Sequence, residues 1–286
     1  MNEIIEFIQK EVFLIYKKKY SKKYIKSKIL PIINYINISN KKKFLIGGSQ
    51  GIGKTSLIII IEKTLKKFFN KKVLSLSLDN YYLSKDQREK LSKKKHELLI
   101  TRGVPGTHNI RELISDINSF DKKKYPITAP IFDKLLDDRS RRKKIFRNKY
   151  DVLILEGWCC GCNKIDNNYL YKNINNLEKR FDKNYNWRKF YNKKLTNEYK
   201  HLFNMFDEKI FLKAPSFKYV LNWRLKQEKN NSSKSSKSKK MNFKEIKLFI
   251  QHYEKITKWM LLNLPTKSDL VIKISKNQKI NSIKKN

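Results

Sequence analysis

The sequence is short of glycine, proline and cysteine, and these shortages limit what kind of protein it can be. Its 286 residues include only 8 glycines, 6 prolines and 3 cysteines. The cysteines, Cys159, Cys160 and Cys162, fall in one stretch, which does not have the spacing of a disulfide framework. A structural zinc needs about four ligands, and no second Cys/His pair follows at a suitable distance. We therefore expect small buried cysteines in a reduced, cytoplasmic protein.

Long apolar runs are also missing. The longest aliphatic run, Leu57–Ile61, is far shorter than the roughly 18 residues that a membrane span requires. The first twenty residues are charged and have helical periodicity, which is not the pattern of a secretory signal. The sequence therefore predicts a protein without membrane association.

The charge balance is strongly basic, with 66 Lys and Arg against 26 Asp and Glu, a formal net charge of +40. Only ten of the basic residues are arginine, and lysine, isoleucine and asparagine are in excess throughout. Their codons are rich in A and T, so compositional drift explains this bias without a dedicated nucleic-acid partner. The positive field should still attract anionic metabolites. A nucleic-acid binder remains an alternative, and it would show tight, steeply salt-dependent binding.

Strand-like and helix-like segments alternate along the chain. Five short apolar segments, "KFLIGG", "KKVLSLSLD", "YDVLILEGW", "EKIFLKAP" and "SDLVIKIS", are separated by helical patterns. This order predicts a three-layer α/β fold with a five-stranded, mostly parallel sheet and helices on both faces. We expect a single domain, 1–286, with a helical extension (1–40), a core (41–275), a helical insertion (165–205), a mobile lid (223–241) and a tail (276–286).

One decapeptide concentrates half of the glycines. "GGSQGIGKTS" fits G-x-x-x-x-G-K-[ST], the P-loop, and it lies between a predicted strand and a predicted helix. Backbone N–H groups of such a loop wrap a polyphosphate, the lysine adds a point charge, and the threonine hydroxyl ligates Mg²⁺. The predicted ATP-binding residues are Gly48, Ser49, Gln50, Gly51, Ile52, Gly53, Lys54, Thr55 and Ser56, with Lys54 catalytic.

The remaining glycines lie in only two other segments, "TRGVPGTH" and "LEGWCCG". A chain that avoids glycine elsewhere keeps it where the backbone requires it, so we expect both segments to be loops of the site. Ordinary turns are the alternative explanation.

Two carboxylates end predicted strands beside the P-loop. Asp79 closes "SLD" and Glu156 closes "LILE", and ligands of such sheets lie beyond the carboxyl ends of the strands. One carboxylate can hold Mg²⁺ and the other can accept the proton of a substrate hydroxyl. The prediction is Asp79 as base and Thr55, Glu156 and Asp79 around the metal; capping of the strand ends is the alternative.

Seven of the ten arginines lie between the second and third predicted strands. Where only charge matters lysine would serve, so a retained arginine indicates bidentate recognition of a carboxylate or phosphate. Arg141 and Arg142, inside a charge run, are more simply explained as a solvated face. Arg224, in "WRLKQE" before a low-complexity stretch, could close onto the transferring phosphate as part of a lid, or be a surface arginine.

Six segments together, "GGSQGIGKTSL", "SLDNYYLSKDQREKL", "HELLITRGVPGTHN", "PIFDKLLDDR", "LEGWCCG" and "NWRLKQE", resemble the D-glycerate 3-kinase family, within the group that contains phosphoribulokinase, uridine kinase and pantothenate kinase. The resemblance covers roughly residues 40–275. It implies ATP- and Mg²⁺-dependent phosphorylation of a small hydroxy acid. It further implies an acceptor pocket formed by Tyr82, Arg102, His108, Asp133, Lys134, Asp138 and Arg139, with Asp79 as base and Arg224 in the lid.

Two departures from the family pattern affect the acceptor side. "DN" stands where relatives commonly have "DD", which leaves Asp79 as the one carboxylate there, and "LLDDR" replaces a smaller stretch. The sequence therefore predicts a kinase for a small anionic acceptor, with D-glycerate favoured. Another acceptor (a nucleoside, pantothenate or a sugar phosphate) and an ATP-binding protein that hydrolyses ATP slowly stay open, as does the oligomeric state.

Overall fold

A computed structural model describes residues 1–232 and 243–286, without the side chains of residues 226–244. Most of the region predicted as a lid, 223–241, and the low-complexity stretch within it therefore lie outside the described residues. The predicted order of strands and helices is otherwise found along the chain.

Within the described residues, eight strands form two sheets. The main sheet has six strands in the order β2-β5-β1-β6-β7-β8, and β3 pairs with β4 in a separate hairpin. All pairings within the main sheet are parallel except that of β7 with β8. The strands are β1 Lys43–Gly48, β2 Val73–Ser77, β3 Ile127–Asp133, β4 Asp138–Phe146, β5 Val152–Gly157, β6 Glu208–Lys213, β7 Leu270–Ile274 and β8 Ile280–Lys285.

The helices cover both faces of the main sheet, as predicted. They are α1 Asn2–Tyr16, α2 Lys22–Tyr24, α3 Leu30–Ile38, α4 Lys54–Phe69, α5 Lys85–Lys94, α6 Ile110–Asp121, α7 Asn167–Leu170, α8 Asn176–Phe181, α9 Asn186–Lys194, α10 Lys200–Asn204, α11 Phe217–Ser232 and α12 Phe243–Asn263. Among the described residues, no helix combines the length and the apolar character that crossing a membrane requires.

Alternation along the buried strands divides the core into two layers. In β1, Phe44 and Ile46 pack with α1, α3 and α4, whereas Leu45 packs on the opposite face with α6, α12 and the helices of the insertion. Successive side chains of a strand point to opposite faces, so a strand buried on both sides must be apolar throughout. This requirement explains the runs from which the strands were predicted.

The structure differs from the predicted sheet at two places. The sheet has six strands rather than five, because Ile280–Lys285, expected to be a tail, pairs antiparallel with β7. The hairpin of β3 and β4 was not predicted, since four of its residues from Arg141 to Lys144 are exposed and give no apolar alternation. Arg141 and Arg142 lie on that solvated strand, as expected.

The insertion between β5 and β6 is helical, as predicted, and a buried charge cluster attaches it to α12. The Arg188 side chain is fully buried, with its Nε 2.7 Å from Asp182 Oδ2 and its NH1 3.6 Å from Glu178 Oε2. Lys255 of α12 places its Nζ 3.4 Å from the same Glu178 oxygen. Because each of these charges has an opposite partner, the cluster can stay ionised inside the core.

Candidate active site

The P-loop lies between β1 and α4, where the sequence placed it. Gly47, the next-to-last residue of β1, packs against the turn that follows β5, and a Cβ there would lie 2.2 Å from the Cys160 carbonyl oxygen. Gly53, directly before α4, has φ +103°, a left-handed conformation that side chains disfavour. The glycines therefore allow a close strand–turn contact and the sharp entry into the helix.

The N-terminus of α4 faces the loop with unpaired N–H groups and the positive end of its dipole. The Lys54 side chain is almost fully buried, and its Nζ donates to Gly48 O at 2.8 Å and Ser49 O at 3.1 Å. These two carbonyls hold the ammonium over the loop. The loop therefore combines main-chain donors with one positioned cation, as the binding of a polyphosphate requires.

Two of the three oxygen ligands predicted for Mg²⁺, Thr55 and Glu156, lie in contact beside the P-loop. Thr55 Oγ1 donates to Glu156 Oε1 at 3.1 Å, and Ser77 Oγ donates to the same oxygen at 2.8 Å. Hydroxyl and carboxylate oxygens suit Mg²⁺, which keeps several waters and takes further oxygens from substrate phosphates. The donor set therefore fits the metal, and Ser77 is a neighbour that the sequence analysis missed.

Asp79 lies just beyond β2, in the 3-10 turn Leu78–Tyr81 rather than in the strand itself. Its Oδ1 accepts from the Tyr82 hydroxyl at 2.9 Å, and its Oδ2 is 2.7 Å from Lys134 Nζ. Burial raises the pKa of the Asp79 carboxyl, but the charges of Lys134 and Lys54 outweigh this and hold the pKa well below its usual value. Asp79 is therefore ionised at neutral pH.

Lys134 reaches Asp79 from the turn of the β3–β4 hairpin. Asp133 caps this turn by accepting from Leu135 N at 2.9 Å and Leu136 N at 3.1 Å. Asp138, where β4 begins, accepts from Lys85 N at 2.9 Å. These two predicted acceptor residues thus shape the hairpin that positions Lys134.

The hairpin is attached to the Asp79 turn through Asn80, whose Oδ1 accepts from Phe132 N at 3.2 Å. Asn80 is the residue at which the sequence departs from the "DD" pattern. The Asn80 amide therefore makes a structural hydrogen bond beside the Asp79 carboxylate.

A cavity of about 530 Å³ opens over the P-loop, within the range of ligand sites. Among the described residues its wall includes the predicted Gln50, Gly51, Gly53, Lys54, Thr55, Ser56, Asp79, Lys134, Glu156 and Arg224. The P-loop, both carboxylates, one hairpin lysine and Arg224 thus share one space. Trp158, from "LEGWCCG", also lines it, which fits the expectation that this glycine segment belongs to the site.

The two arginines predicted to grip an acceptor carboxylate do not line this cavity, as far as the described residues show, and each has an acidic partner. Arg102 forms an ion pair with Asp137 and lies over the Phe132 ring. Arg139 NH2 bonds both carboxylate oxygens of Glu112, at 2.8 and 2.6 Å. Each of the two guanidiniums thus already binds a carboxylate, and in both cases the carboxylate belongs to this chain.

His108 and Tyr82 form a stacked pair behind Asp79, with ring centroids 4.4 Å apart. The Tyr199 hydroxyl accepts from Gly106 N at 3.1 Å, so its proton is available to His108 Nδ1, 2.5 Å away. Burial lowers the pKa of His108 to about 3. The imidazole is therefore neutral at physiological pH. The segment "TRGVPGTH" packs behind the cavity rather than lining it.

Arg224 lies on α11 at the edge of the cavity, with its guanidinium carbon 5.5 Å from the centre of the Phe249 ring. Trp223 lines the cavity beside it and donates through Nε1 to Lys276 O at 3.1 Å. Arg224 thus lies on the wall of the cavity over the P-loop, and its closing onto a transferring phosphate stays a prediction.

The three cysteines are free and buried, as predicted for small residues beside the site. Burial raises the pKa of each thiol above its ordinary value. No group of three or more His, Cys, Asp or Glu side chains with metal-site geometry occurs within 1–232 and 243–286.

Sequence reasoning missed several residues of the cavity wall that come from the two ends of the chain. Tyr16 and Tyr20 from the N-terminal segment and Asn277 and Gln278 from the β7–β8 turn face the P-loop. A spacing of four residues between the tyrosines was the available signal, but nothing in it pointed to the P-loop.

Comparison with known proteins agrees with this geometry. No family model matches the chain. It is 29% identical over 241 residues to an uncharacterized kinase, mug58, of Schizosaccharomyces pombe, a match that covers 80% of this chain and 85% of that relative. It is 32% identical over 131 residues to a probable ATP-dependent kinase, TDA10, of Saccharomyces cerevisiae, covering 41% of this chain and 45% of the relative.

A solved D-glycerate 3-kinase from Cryptococcus neoformans superimposes with a TM-score of 0.71 at 23% identity. The superposition covers 90% of this chain and 96% of that one. At this identity the likeness establishes the fold, and the named kinases among the relatives support a small-molecule kinase.

Proposed function

We propose that this chain, a P-loop kinase related to the proteins just named, transfers the γ-phosphate of ATP to a hydroxyl of a small anionic metabolite, with D-glycerate the favoured acceptor. The observation that carries the proposal is the shared cavity, in which Lys54 and the P-loop amides face the ionised Asp79. One side is suited to a triphosphate and the other to an alcohol.

On the phosphate side, Lys54 would exchange its two carbonyl partners for the β- and γ-phosphate oxygens. The N–H groups of the loop and of the first turn of α4 donate to the remaining oxygens. Because these donors are fixed before the substrate arrives, they stabilise the transferring charge without further reorganisation.

The metal would be held by Thr55 and by Glu156, directly or through a water. When bound, Mg²⁺ neutralises charge on the phosphate oxygens. Ser77 donates to Glu156 and so orients its carboxylate toward Thr55. A supporting contact of this kind fixes the direction of a metal ligand.

On the acceptor side, the low pKa of Asp79 makes it a weak base in the free protein. Its suitable role is to orient the attacking hydroxyl and to take its proton once the oxygen has begun to bond to phosphorus and has become acidic. Tyr82 and Lys134 fix the two carboxylate oxygens, and a fixed carboxylate aligns the hydroxyl with the phosphate.

The acceptor carboxylate would displace Asp137 from Arg102. The Asp137 side chain is 40% exposed whereas the Arg102 side chain is 13% exposed, so the acid can turn into solvent more easily than the arginine. Lys134 adds a second positive charge beside Asp79. We propose Arg139, held by Glu112, as a support for this pocket. A neutral nucleoside has no carboxylate that could replace Asp137 beside Arg102, so an anionic acceptor is favoured.

The test is a steady-state assay with MgATP and a panel of hydroxy acids, pantothenate, nucleosides and sugar phosphates, with ADP formation as the readout. Lys54→Ala should abolish turnover, and Lys63→Ala on the same helix, whose Nζ pairs with Glu11 away from the cavity, should not. Full turnover in Lys54→Ala would contradict the phosphate role.

Two alternatives give different results in the same assay. Turnover with another acceptor but not with D-glycerate would keep the kinase and change its substrate. ADP release that no acceptor stimulates would favour an ATP-binding protein that hydrolyses ATP slowly.

A further inference from the structure

The cavity over the P-loop extends beyond the region where the reacting groups would meet. Lys54, Asp79 and Lys134 mark the end at which phosphate and acceptor would meet. Another part of the wall comes from the end of α1 with the turn after it and from the β7–β8 turn, which are segments without P-loop or acceptor residues. A nucleoside triphosphate carries its base at the opposite end from the γ-phosphate, so this second part of the wall is where a base would lie.

Aromatic rings form one side of this region. Tyr16 ends α1, because Lys17 takes a left-handed conformation with φ 54°. Its hydroxyl is hydrogen-bonded with Ser56 of the P-loop helix, and a Cβ on Gly53 would lie 3.5 Å from that oxygen. The Tyr20 ring lies 6.4 Å from the Tyr16 ring, and both residues are only partly buried. The two rings thus stand beside the P-loop, and the Tyr24 ring supports Tyr20 at a centroid distance of 4.9 Å.

The β7–β8 turn forms the other side. Gln278 has φ 60° at the tip of this turn, and its Nε2 donates to Gly51 O at 2.5 Å. Its Oε1 is left as an acceptor, the group that an exocyclic amine of a base requires. Asn277 beside it lines the cavity and adds a second carboxamide.

Contacts between the two chain ends hold these sides together. Ile280 N donates to the Tyr24 hydroxyl at 2.6 Å, and Lys279 Nζ lies 5.5 Å from the centre of the Tyr20 ring. Lys28 Nζ donates to Asn281 O at 2.7 Å. The wall is therefore a built structure in which two distant segments fix each other against the P-loop.

We propose that the purine base of the nucleotide packs against the Tyr16 and Tyr20 rings and that Gln278 accepts from its exocyclic amine. This inference rests on the proposed function, because it assigns the base end of the same nucleotide. The N-terminal segment and the C-terminal strand are then parts of the nucleotide site. An amine-bearing base such as adenine suits the Gln278 oxygen, whereas guanine presents a carbonyl at the equivalent position.

Two probes separate the base from the phosphates in a calorimetric binding test. One is the magnesium complex of a non-hydrolysable ATP analogue, and the other is magnesium tripolyphosphate, which lacks the nucleoside. Tyr20→Ala should weaken the analogue about tenfold, the scale of one lost base–aromatic stack, and leave tripolyphosphate unchanged. Tyr20→Phe keeps the ring and should bind both as the wild type does.

Tyr35→Ala is the matched control. Tyr35, in α3, packs against the same core cluster as Tyr16 and Tyr20 but does not line the cavity. It should leave both affinities unchanged. Tyr20→Leu keeps apolar bulk and replaces the alanine variant in the test if that variant folds poorly. It should weaken binding of the ATP analogue and leave binding of tripolyphosphate unchanged.

The outcomes distinguish this inference from the function on which it rests. The base subsite would be overturned if Tyr20→Ala weakened the binding of both probes equally. It would also be overturned if that variant bound both probes as the wild type does. A wild-type chain that binds tripolyphosphate as tightly as the analogue would also overturn it, and would leave the phosphate role of the P-loop intact. Binding of neither probe would overturn the proposed function and the base subsite together.

Discussion

Replacing Asp79 by asparagine separates nucleotide binding from transfer. Asparagine has the same shape and can still accept from the Tyr82 hydroxyl, but it has no charge to orient and deprotonate an alcohol. A positioned proton acceptor contributes about 10² to 10⁴ in rate, so kcat should fall by that factor. Affinity for MgATP should be unchanged or slightly higher, because an anion facing the phosphates is removed.

The same change should cost little stability. The Asp79–Lys134 pair is 2.7 Å long, but the two side chains are 29% and 56% exposed, so water can solvate the lysine that is left alone. An ion pair of this kind contributes about 0–1 kcal/mol, and the melting temperature should fall by no more than about 4 °C. A large loss of activity with a small change in stability would thus identify a chemical role.

The assay is steady-state kinetics with MgATP and D-glycerate, combined with calorimetry of the ATP analogue. Asp133→Asn is the control, because that carboxylate caps the hairpin turn and should affect kcat less. Asp79→Asn with wild-type kcat would refute the reasoning, and loss of analogue binding would show that the residue acts on the nucleotide instead.

Three further predictions follow from measured contacts. Glu156→Gln should raise the Mg²⁺ concentration for half-maximal activity about tenfold, because it replaces the charged carboxylate beside Thr55 by a neutral amide. An unchanged metal titration would contradict this. Arg188→Met removes the arginine partner of the buried Asp182 carboxylate and leaves Lys255 as the cation beside Glu178, so it should lower the free energy of unfolding in urea by about 3–5 kcal/mol, whereas a loss below about 1 kcal/mol would count against the buried cluster. Burial lowers the pKa of His108 to about 3 and of His252 to about 4, so the unfolded chain takes up these protons first as pH falls below about 6.5. Stability should therefore be full above that pH and decline as pH falls toward 4, by about 1–2 kcal/mol per histidine between pH 7 and 5, and a flat urea midpoint across this range would refute it.

The sequence predicted those features that local patterns determine. Apolar runs located the five strands with both faces covered, and the P-loop spacing located Lys54 and Thr55. The cap of α6 is equally local, since Glu112 N donates to Asn109 Oδ1 at 3.2 Å. Each of these depends on residues within a few positions of one another.

What the sequence could not predict depends on contacts between distant segments. The ion pair of Lys134 with Asp79 spans 55 residues, and the bond from Gln278 to Gly51 spans 227. The β3–β4 hairpin has an exposed face rich in basic residues, which gives no strand signal. Arg102 was expected to be open to a ligand, and only the folded chain brings Asp137 against it.

The antiparallel strand at the end of the chain also has a consequence for solubility. β8 is the outermost strand of the main sheet, and an outermost strand offers unpaired N–H and C=O groups to any other chain. Lys284 and Lys285 lie exposed on it. Their positive charges repel the lysines of a second molecule that approaches this edge, so the lysine-rich composition opposes growth of the sheet into an aggregate.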